Sequence, residues 1–318
     1  MQRTKADKDA QDRNVERAIR RRLGDPGKPK KIRTKKADWW DALDRRRPRH
    51  IFVPDAQVRA GVEINHLASE GEYVAYKKPD VIVLGGDWWD YPGISYYDKN
   101  MADYYVSDVL GDFCSGLHAL DVFLAPINDA KGDGWDPTIV LLEGNHEYRM
   151  WREILRDRRS LRGIPLPEVV CAKYGIKFFT YQQAVDIDGI LYSHCFVNPN
   201  TGRPWGGTAS YRLGKVKASF TMGHQQRFDM AMDIRPDGTR VRALVAGANY
   251  QHYERYLGPQ GNNHWRGLIV KNDLDGKGDY DITEVRLSYL LRRYNPPSLK
   301  ADGGWRADEF GKFTLAGS

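Results

Sequence analysis

The chain has 318 residues, 41% hydrophobic and 29% charged, with a mean hydropathy of −0.64. That is the balance of a globular protein of one large or two ordinary domains, neither collagen-like nor wholly disordered. No apolar run approaches the roughly 18 to 20 residues of a bilayer span, and Met1–Asp7 lacks the apolar stretch of a secretory leader, so neither a membrane nor a secreted protein is expected. The net charge of +7 is uneven: residues 1–47 hold 17 Lys/Arg against 8 Asp/Glu, a net of +9, and residues 48–318 hold 32 against 34. The basicity therefore belongs to an N-terminal arm, and only the arm argues for an acidic partner such as nucleic acid. The cysteines, Cys114, Cys171 and Cys195, are scattered and form no CxxC pair. They imply no disulfide framework, and a reducing cytoplasm is the expected compartment.

Within the arm, Val15, Ala18, Ile19 and Leu23 sit at helical spacing and predict a short helix over about 12–23. Gly24-Asp25-Pro26-Gly27 ends it. A basic run follows at 28–36, and Trp39 and Trp40 offer an apolar patch that could dock on the rest. The expected organisation is thus a basic, partly flexible arm over 1–47 and a folded domain over 48–318. From His50 the pattern changes. Ile51-Phe52-Val53 predicts a strand, 62–76 a helix, Val81–Leu84 a second strand, 101–127 a long helix and Ile139–Leu142 a third strand. This repetition argues for parallel strands in an α/β core. The second half predicts strands instead: a hairpin of 184–187 with 190–193 around Asp188-Gly189, then 218–222, 230–234, 241–246, 268–270 and 282–287.

Five of these strands end in metal-ligand residue types: Asp55-Ala56-Gln57; Gly86-Asp87-Trp88-Trp89-Asp90; Gly144-Asn145-His146-Glu147; Ser193-His194; and Gly223-His224-Gln225-Gln226. Sites in α/β sheets lie outside the carboxyl ends of strands. One such cluster is an ordinary turn or helix cap; five in order are hard to explain as surface decoration. Carboxylate, imidazole and amide oxygen together form a ligand mix for Mn, Fe or Zn.

In this order the motifs resemble the signature of the calcineurin-like metallophosphoesterases, over about Ile51 to Gln226, with Gly-Asn-His-Glu the most specific part. Val53–Val58, Asn198–Pro204, Met222–Gln226 and 258–267 also look like a branch encoded by phages and prophages. The resemblance implies two mixed β-sheets packed face to face in a sandwich flanked by helices. It implies a metal-dependent phosphoesterase with two divalent ions, Mn²⁺ foremost and Mg²⁺, Fe or Zn²⁺ as alternatives. One ion would be held by Asp55, Gln57, Asp87 and Gln226, and the other by Asp87, Asn145, His194 and His224. A hydroxide between the ions would attack phosphorus in line with the leaving oxygen. His146 would donate to that oxygen, with Glu147 orienting its imidazole. Arg149, Arg227 and Arg203 are candidates to meet phosphate oxygens.

The chain departs from the family pattern twice, and at the same ion: Gln57 and Gln226 stand where histidines are usual. Either that site is re-tuned to an all-oxygen set leaning to Mg²⁺ or Mn²⁺ and binding more weakly, or the ion is lost. The preferred substrate is a phosphodiester in nucleic acid or a nucleotide. The alternatives are a phosphomonoesterase and a one-metal binding or scaffold protein without turnover. Trp88, Trp89, Tyr91, Tyr96 and Tyr97 could stack on bases or pack over the site. His66 lies on the helix after Gln57 and is left unassigned; His50 and His118 have no sequence neighbours of catalytic type.

Overall fold

The strands form where apolar tetrads allow a chain segment to be buried on both faces. In the computed structural model, which describes residues 47–95, 108–132, 134–157, 161, 163–254, 257–301, 305–307 and 313–315, β1 is His50–Val53, β2 Val81–Leu84, β3 Thr138–Leu142 and β4 Lys177–Phe179. These four are parallel neighbours, and β10 (Gly267–Asn272) and β11 (Asp281–Arg286) add antiparallel to β1, in the order β11-β10-β1-β2-β3-β4. The second sheet is also mixed. It comprises β5 (Val185–Ile187), β6 (Ile190–Tyr192), β7 (Phe220–Met222), β8 (Phe228–Ile234) and β9 (Arg240–Ala246), in the order β5-β6-β7-β9-β8. A small ribbon pairs β12 (Trp305–Ala307) with β13 (Phe313–Leu315).

Alternation along each strand sets the layers. Phe52, Val81, Val83, Val140 and Leu142 face Ile190, Tyr192, Leu244 and Ala246 of the second sheet in one core. Their alternates Ile51, Val53, Ile82, Leu84 and Leu141 face α1 (Asn65–Lys77) and α2 (Val109–Asp129). On the far side of the second sheet, Phe220, Met222, Ala243 and Val245 meet Ala209 and Leu213 of α5 (Ala209–Val216). The remaining helices are α3 (Asn145–Arg156), α4 (Pro167–Lys173), α6 (Gly258–Gly261) and α7 (Leu287–Tyr294). The architecture is α/β, with two mixed sheets face to face and helices outside. α2 is long and apolar enough to cross a membrane by length and composition, but 61% of its apolar window is buried inside the protein.

Several boundaries differ from the sequence expectation. The helix expected from Val62 starts at Asn65, because Val62 and Ile64 pair instead with Ala301 and Leu299 through main-chain hydrogen bonds of 2.9 and 2.8 Å. The described part of the long helix begins at Val109, where Asp108 caps it by accepting from the Leu110 N–H at 3.1 Å. The arm, its predicted helix at 12–23, its Trp39-Trp40 patch, and Tyr96 and Tyr97 lie outside the described residues. Trp88, Trp89 and Tyr91 are not a stacking platform. They are at most 2% exposed and pack with Phe113 and Phe123 in the helix-side core, where the indole N–H groups donate to the carbonyls of Gly116 and Phe113.

His50 also has partners that sequence proximity hides. Its ring nitrogens meet Tyr192 OH (2.8 Å) and Asp188 Oδ2 (2.9 Å). The Tyr192 hydroxyl in turn accepts from the buried Lys271 Nζ (3.0 Å), which also donates to Thr221 Oγ1. Burial holds the Lys271 pKa well below its usual value, so the folded protein binds a proton there less readily than the unfolded chain does. The unfolded chain binds a proton there up to about pH 10.4. Protons are thus favoured by the unfolded state, and this residue makes stability rise with pH. Lys271→Met should therefore be more stable than wild type near neutrality, and the gap should narrow as pH rises, by at most about 1.4 kcal/mol per unit. Urea unfolding from pH 6 to 9.5 measures it; a gap that is constant or widens with pH would contradict a lowered Lys271 pKa.

Candidate metal centre

Five strands deliver the site at one end of the sandwich. β1, β2 and β3 run parallel and release Asp55, Asp87 and Asn145 from the first sheet; β6 and β7 release His194 and His224 from the second. The turns are bent tightly enough to cost free energy. Gln57, Asp87, His224 and Gln226 all have left-handed backbone, with φ of 45°, 49°, 69° and 55°. Such conformations cost of order 1 kcal/mol or more for non-glycine residues and gather at functional sites. Two glycines make room. A Cβ on Gly144 would strike the Asp87 carboxylate, and one on Gly223 would strike Asp55 Oδ1.

Asp87, Asn145, His194 and His224 converge. The ligand atoms of Asp87, His194 and His224 lie within 4.8 Å of one another. Asn145 Oδ1 sits between the imidazoles, 3.1 Å from His194 Nε2 and 2.7 Å from His224 Nδ1. His194 Nε2 is 3.4 Å from Asp87 Oδ2. At its other nitrogen, His194 Nδ1 lies 2.9 Å from the Gly85 carbonyl, which takes its proton and fixes the ring with Nε2 towards the cluster. Burial, reinforced by the His194 charge, lowers the His224 pKa to about 4, leaving that ring neutral near neutral pH, as a ligand must be. Burial opposes a charge on His194 too, but the Asp87 carboxylate overrides it and holds that pKa well above the usual value.

The other half of the centre is less satisfied. Asp55 is fully buried. Its Oδ1 accepts from the His224 N–H (3.0 Å), while its Oδ2 has no partner. Burial pushes its pKa up to about 7. The Gln57 amide is also buried, with neither Oε1 nor Nε2 partnered. Gln226 is buried, and its Oε1 accepts from Tyr250 OH at 2.8 Å. Orphaned buried oxygens on Asp55 and Gln57, beside the Asp87 carboxylate, form a donor set that a hard divalent cation fits. His66 is no part of it: its nitrogens meet the Asn249 carbonyl (3.1 Å) and the Gln251 amide (3.0 Å).

His146 faces the cluster, but its partner is not Glu147. Its Nε2 lies 3.6 Å from Asp87 Oδ2 and its Nδ1 3.0 Å from Asp90 Oδ1. The other Asp90 oxygen pairs with Arg59, which also meets Glu254 at 2.9 Å. Burial and the Arg149 charge pull the His146 pKa down; Asp87 and Asp90 outweigh them and raise it. Glu147 turns the opposite way, because consecutive helix residues do not share a face. Its carboxylate accepts from the N–H groups of Asp87 (2.9 Å), Gly144 (2.8 Å) and Trp89 (3.0 Å). Burial raises its pKa, yet donors alone meet it, so the ionised form is the one that fits. Asp90, second acid of Gly-Asp-x-x-Asp, was visible as a motif residue, but its tie to His146 was not. Of the arginines, Arg149 is anchored beside the dyad, its Nη1 donating to the Asp90 carbonyl (2.9 Å). Arg227 pairs with Asp229 at 3.1 Å on the exposed side, and Arg203 stays in an exposed turn, its N–H on Thr201 Oγ1.

No protein-family model matches the chain, and no curated protein sequence matches it. The geometry therefore stands by itself. It yields one direct test. Glu147→Gln replaces a three-donor acceptor by a neutral amide whose NH₂ must face an N–H, and should cost about 2 to 3 kcal/mol in urea unfolding. A loss under about 0.5 kcal/mol would mean that the three N–H groups find other acceptors.

Proposed function

We propose that the protein is a metal-dependent phosphoesterase, built on the metallo-dependent phosphatase version of the two-sheet sandwich and belonging to the calcineurin-like superfamily. The observation that carries this reading is the convergence of Asp87, Asn145, His194 and His224 from four separate strand ends, beside an imidazole that does not join the ligand set. Asp87, Asn145, His194 and His224 would hold one divalent ion; Asp55, Gln57, Asp87 and Gln226 would hold the second, with Asp87 shared. Bound ions would neutralise the charge that develops on a phosphate during in-line displacement. Mn²⁺ is the preferred ion.

The chain's own groups account for the rest. Asp90 holds His146 by Nδ1 and so presents Nε2 to the space beside Asp87. Asp87 and Asp90 raise its pKa, which favours the protonated form, the one from which it can give a proton to the leaving oxygen. Arg149, fixed on the Asp90 carbonyl, places a positive charge at the same edge. A phosphodiester in nucleic acid or a nucleotide is the favoured substrate, supported by the net charge of +9 in residues 1–47. A phosphomonoester is the rival. Three free, buried cysteines agree with a cytoplasmic protein, in the host cytoplasm if the gene is carried by a phage. The hydroxyl of Tyr250 on Gln226 favours one further reading, a protein that keeps a single ion and binds without turnover.

Chelation should abolish hydrolysis of bis-nitrophenyl phosphate, and Mn²⁺ should restore it. Metal analysis should find close to one tightly held ion, the second entering only with added Mn²⁺ or Mg²⁺. Activity that survives exhaustive chelation would refute the reading; one tight ion with no activity on mono- or diesters, DNA or RNA would leave the binding protein.

His146→Ala should keep the metal content and lose about 10²- to 10⁴-fold in rate, with a smaller loss on nitrophenyl esters, whose leaving group needs no proton. An equal loss on poor and good leaving groups would make His146 a positioning group. Removing residues 1–47 should spare small esters while weakening DNA or RNA binding and flattening its salt dependence; an unchanged salt slope would detach the arm from substrate binding.

A further inference from the structure

The second sheet carries a charge that the metal centre does not use. Arg212, on α5, is 0% exposed. Its Nε donates to the Trp205 carbonyl at 2.9 Å, while Nη1 and Nη2 are both buried without a partner. Among the described residues it makes no ion pair. The neighbouring carboxylate, Asp229, is committed elsewhere: its Oδ2 accepts from the Ala209 N–H (2.8 Å) and from Arg227 Nη2 (3.1 Å). A guanidinium taken out of water and left unpaired costs several kcal/mol, and a fold does not bury one for packing when a leucine or methionine fills the same space.

The position of Arg212 explains the expense. α5 lies in the connection between β6 and β7, the two strands that release His194 and His224. Its first N–H is tied to Asp229, three residues past Gln226. The fold thus brings the first turn of α5 to the end of the second sheet where the metal-ligand residues emerge.

We propose that Arg212 is a substrate-binding residue, whose two unpartnered Nη groups take two non-bridging oxygens of a phosphate at the end of the second sheet where the metal-ligand residues emerge. The ligand class is a tetrahedral oxyanion with at least two free oxygens, which a planar guanidinium fork matches and an ammonium does not. This rests on the phosphoesterase reading and extends it: the sheet carrying His194 and His224 supplies the anion clamp. The Trp205 carbonyl, in the stretch that leads into α5, fixes the guanidinium plane.

The test uses sulfate as probe, because it does not precipitate Mn²⁺, on the full-length Mn²⁺-loaded protein, against chloride at equal ionic strength. Sulfate stabilises any protein by exclusion from its surface; that part is common to all variants and grows without saturating. Wild type should show a saturable rise in Tm on top of it, Arg212→Met should lack the saturable part, and Arg212→Lys should retain only a fraction. Without sulfate, R212M should melt at or above the wild-type temperature, since it removes an unpaired buried charge. In hydrolysis, R212M should lose about 10- to 100-fold in kcat/KM with metal content unchanged. The proposal is overturned if R212M melts well below wild type while the sulfate response is the same in both, which would make Arg212 a structural tie to Trp205. Should R212M not fold, the wild-type titration decides, and an unsaturable response there overturns it as well. Saturable sulfate binding through Arg212 with no ester hydrolysed would refute the phosphoesterase reading and leave the anion site standing. Hydrolysis with kcat/KM unaltered in R212M would do the reverse.

Discussion

The carboxylate of Glu147 is the contact on which the first wall of the site depends. It gathers three main-chain N–H groups, from Gly144 at the end of β3 and from Asp87 and Trp89 past the end of β2. Those N–H groups leave their strands just where the ladder stops, and unmet they would be buried donors without acceptors. By meeting all three, Glu147 locks the β2 loop onto the first turn of α3. Everything functional on that wall is then set by short covalent distances: Asp87 beside its bound N–H, and Asn145 and His146 on the same turn as Glu147. The His146 N–H returns the tie by donating to Asp87 Oδ1 at 2.9 Å. One buried acid thus fixes Asp87, Asn145 and the His146 imidazole relative to each other.

The cost of this arrangement is local, and the sheets offset it. Four residues of the centre are in left-handed backbone, and Asp55 keeps a carboxylate oxygen buried with nothing to bind. Together these amount to several kcal/mol by general magnitudes. They persist because each follows a strand whose residues are almost fully buried: β1 and β2 are buried at every position, β3 at all but the first. The β-sandwich is in that sense a rigid frame carrying a strained rim, and the rim is where chemistry is possible.

The frame was legible in the sequence because apolar tetrads followed by Gly and Asp have few other readings, and every strand predicted from Ile51 onward is present, with ends displaced by a residue or two. Helices that open directly from the site were not legible. α3 spends its first residues, Asn145, His146 and Glu147, on the site and so shows a polar start where periodicity looks for an apolar face. α5 reads Ala-Ser-Tyr-Arg-Leu-Gly-Lys-Val, which is surface-like until Arg212 is seen to be buried. Pairings were the least legible part. Glu147 follows His146 in the chain, yet their side chains diverge by the helix pitch, while Asp90 reaches the imidazole from 56 positions away. The aromatic residues beside Asp87 misled for a related reason: Trp and Tyr serve cores and stacking surfaces alike, and only burial tells them apart.

Two opposite imbalances remain in the finished structure. On one side are the carboxylates of Asp55 and Asp87, with Asp55 Oδ2 and the Gln57 amide lacking partners. On the other is a guanidinium with two unused nitrogens. A cation satisfies the first imbalance and leaves the second, and an anion at Arg212 satisfies the second and leaves the first. Only a cation and an anion in contact satisfy both at once. That is the charge pattern of a metal-bound phosphate, and it makes the two buried defects of this fold a single complementary pair.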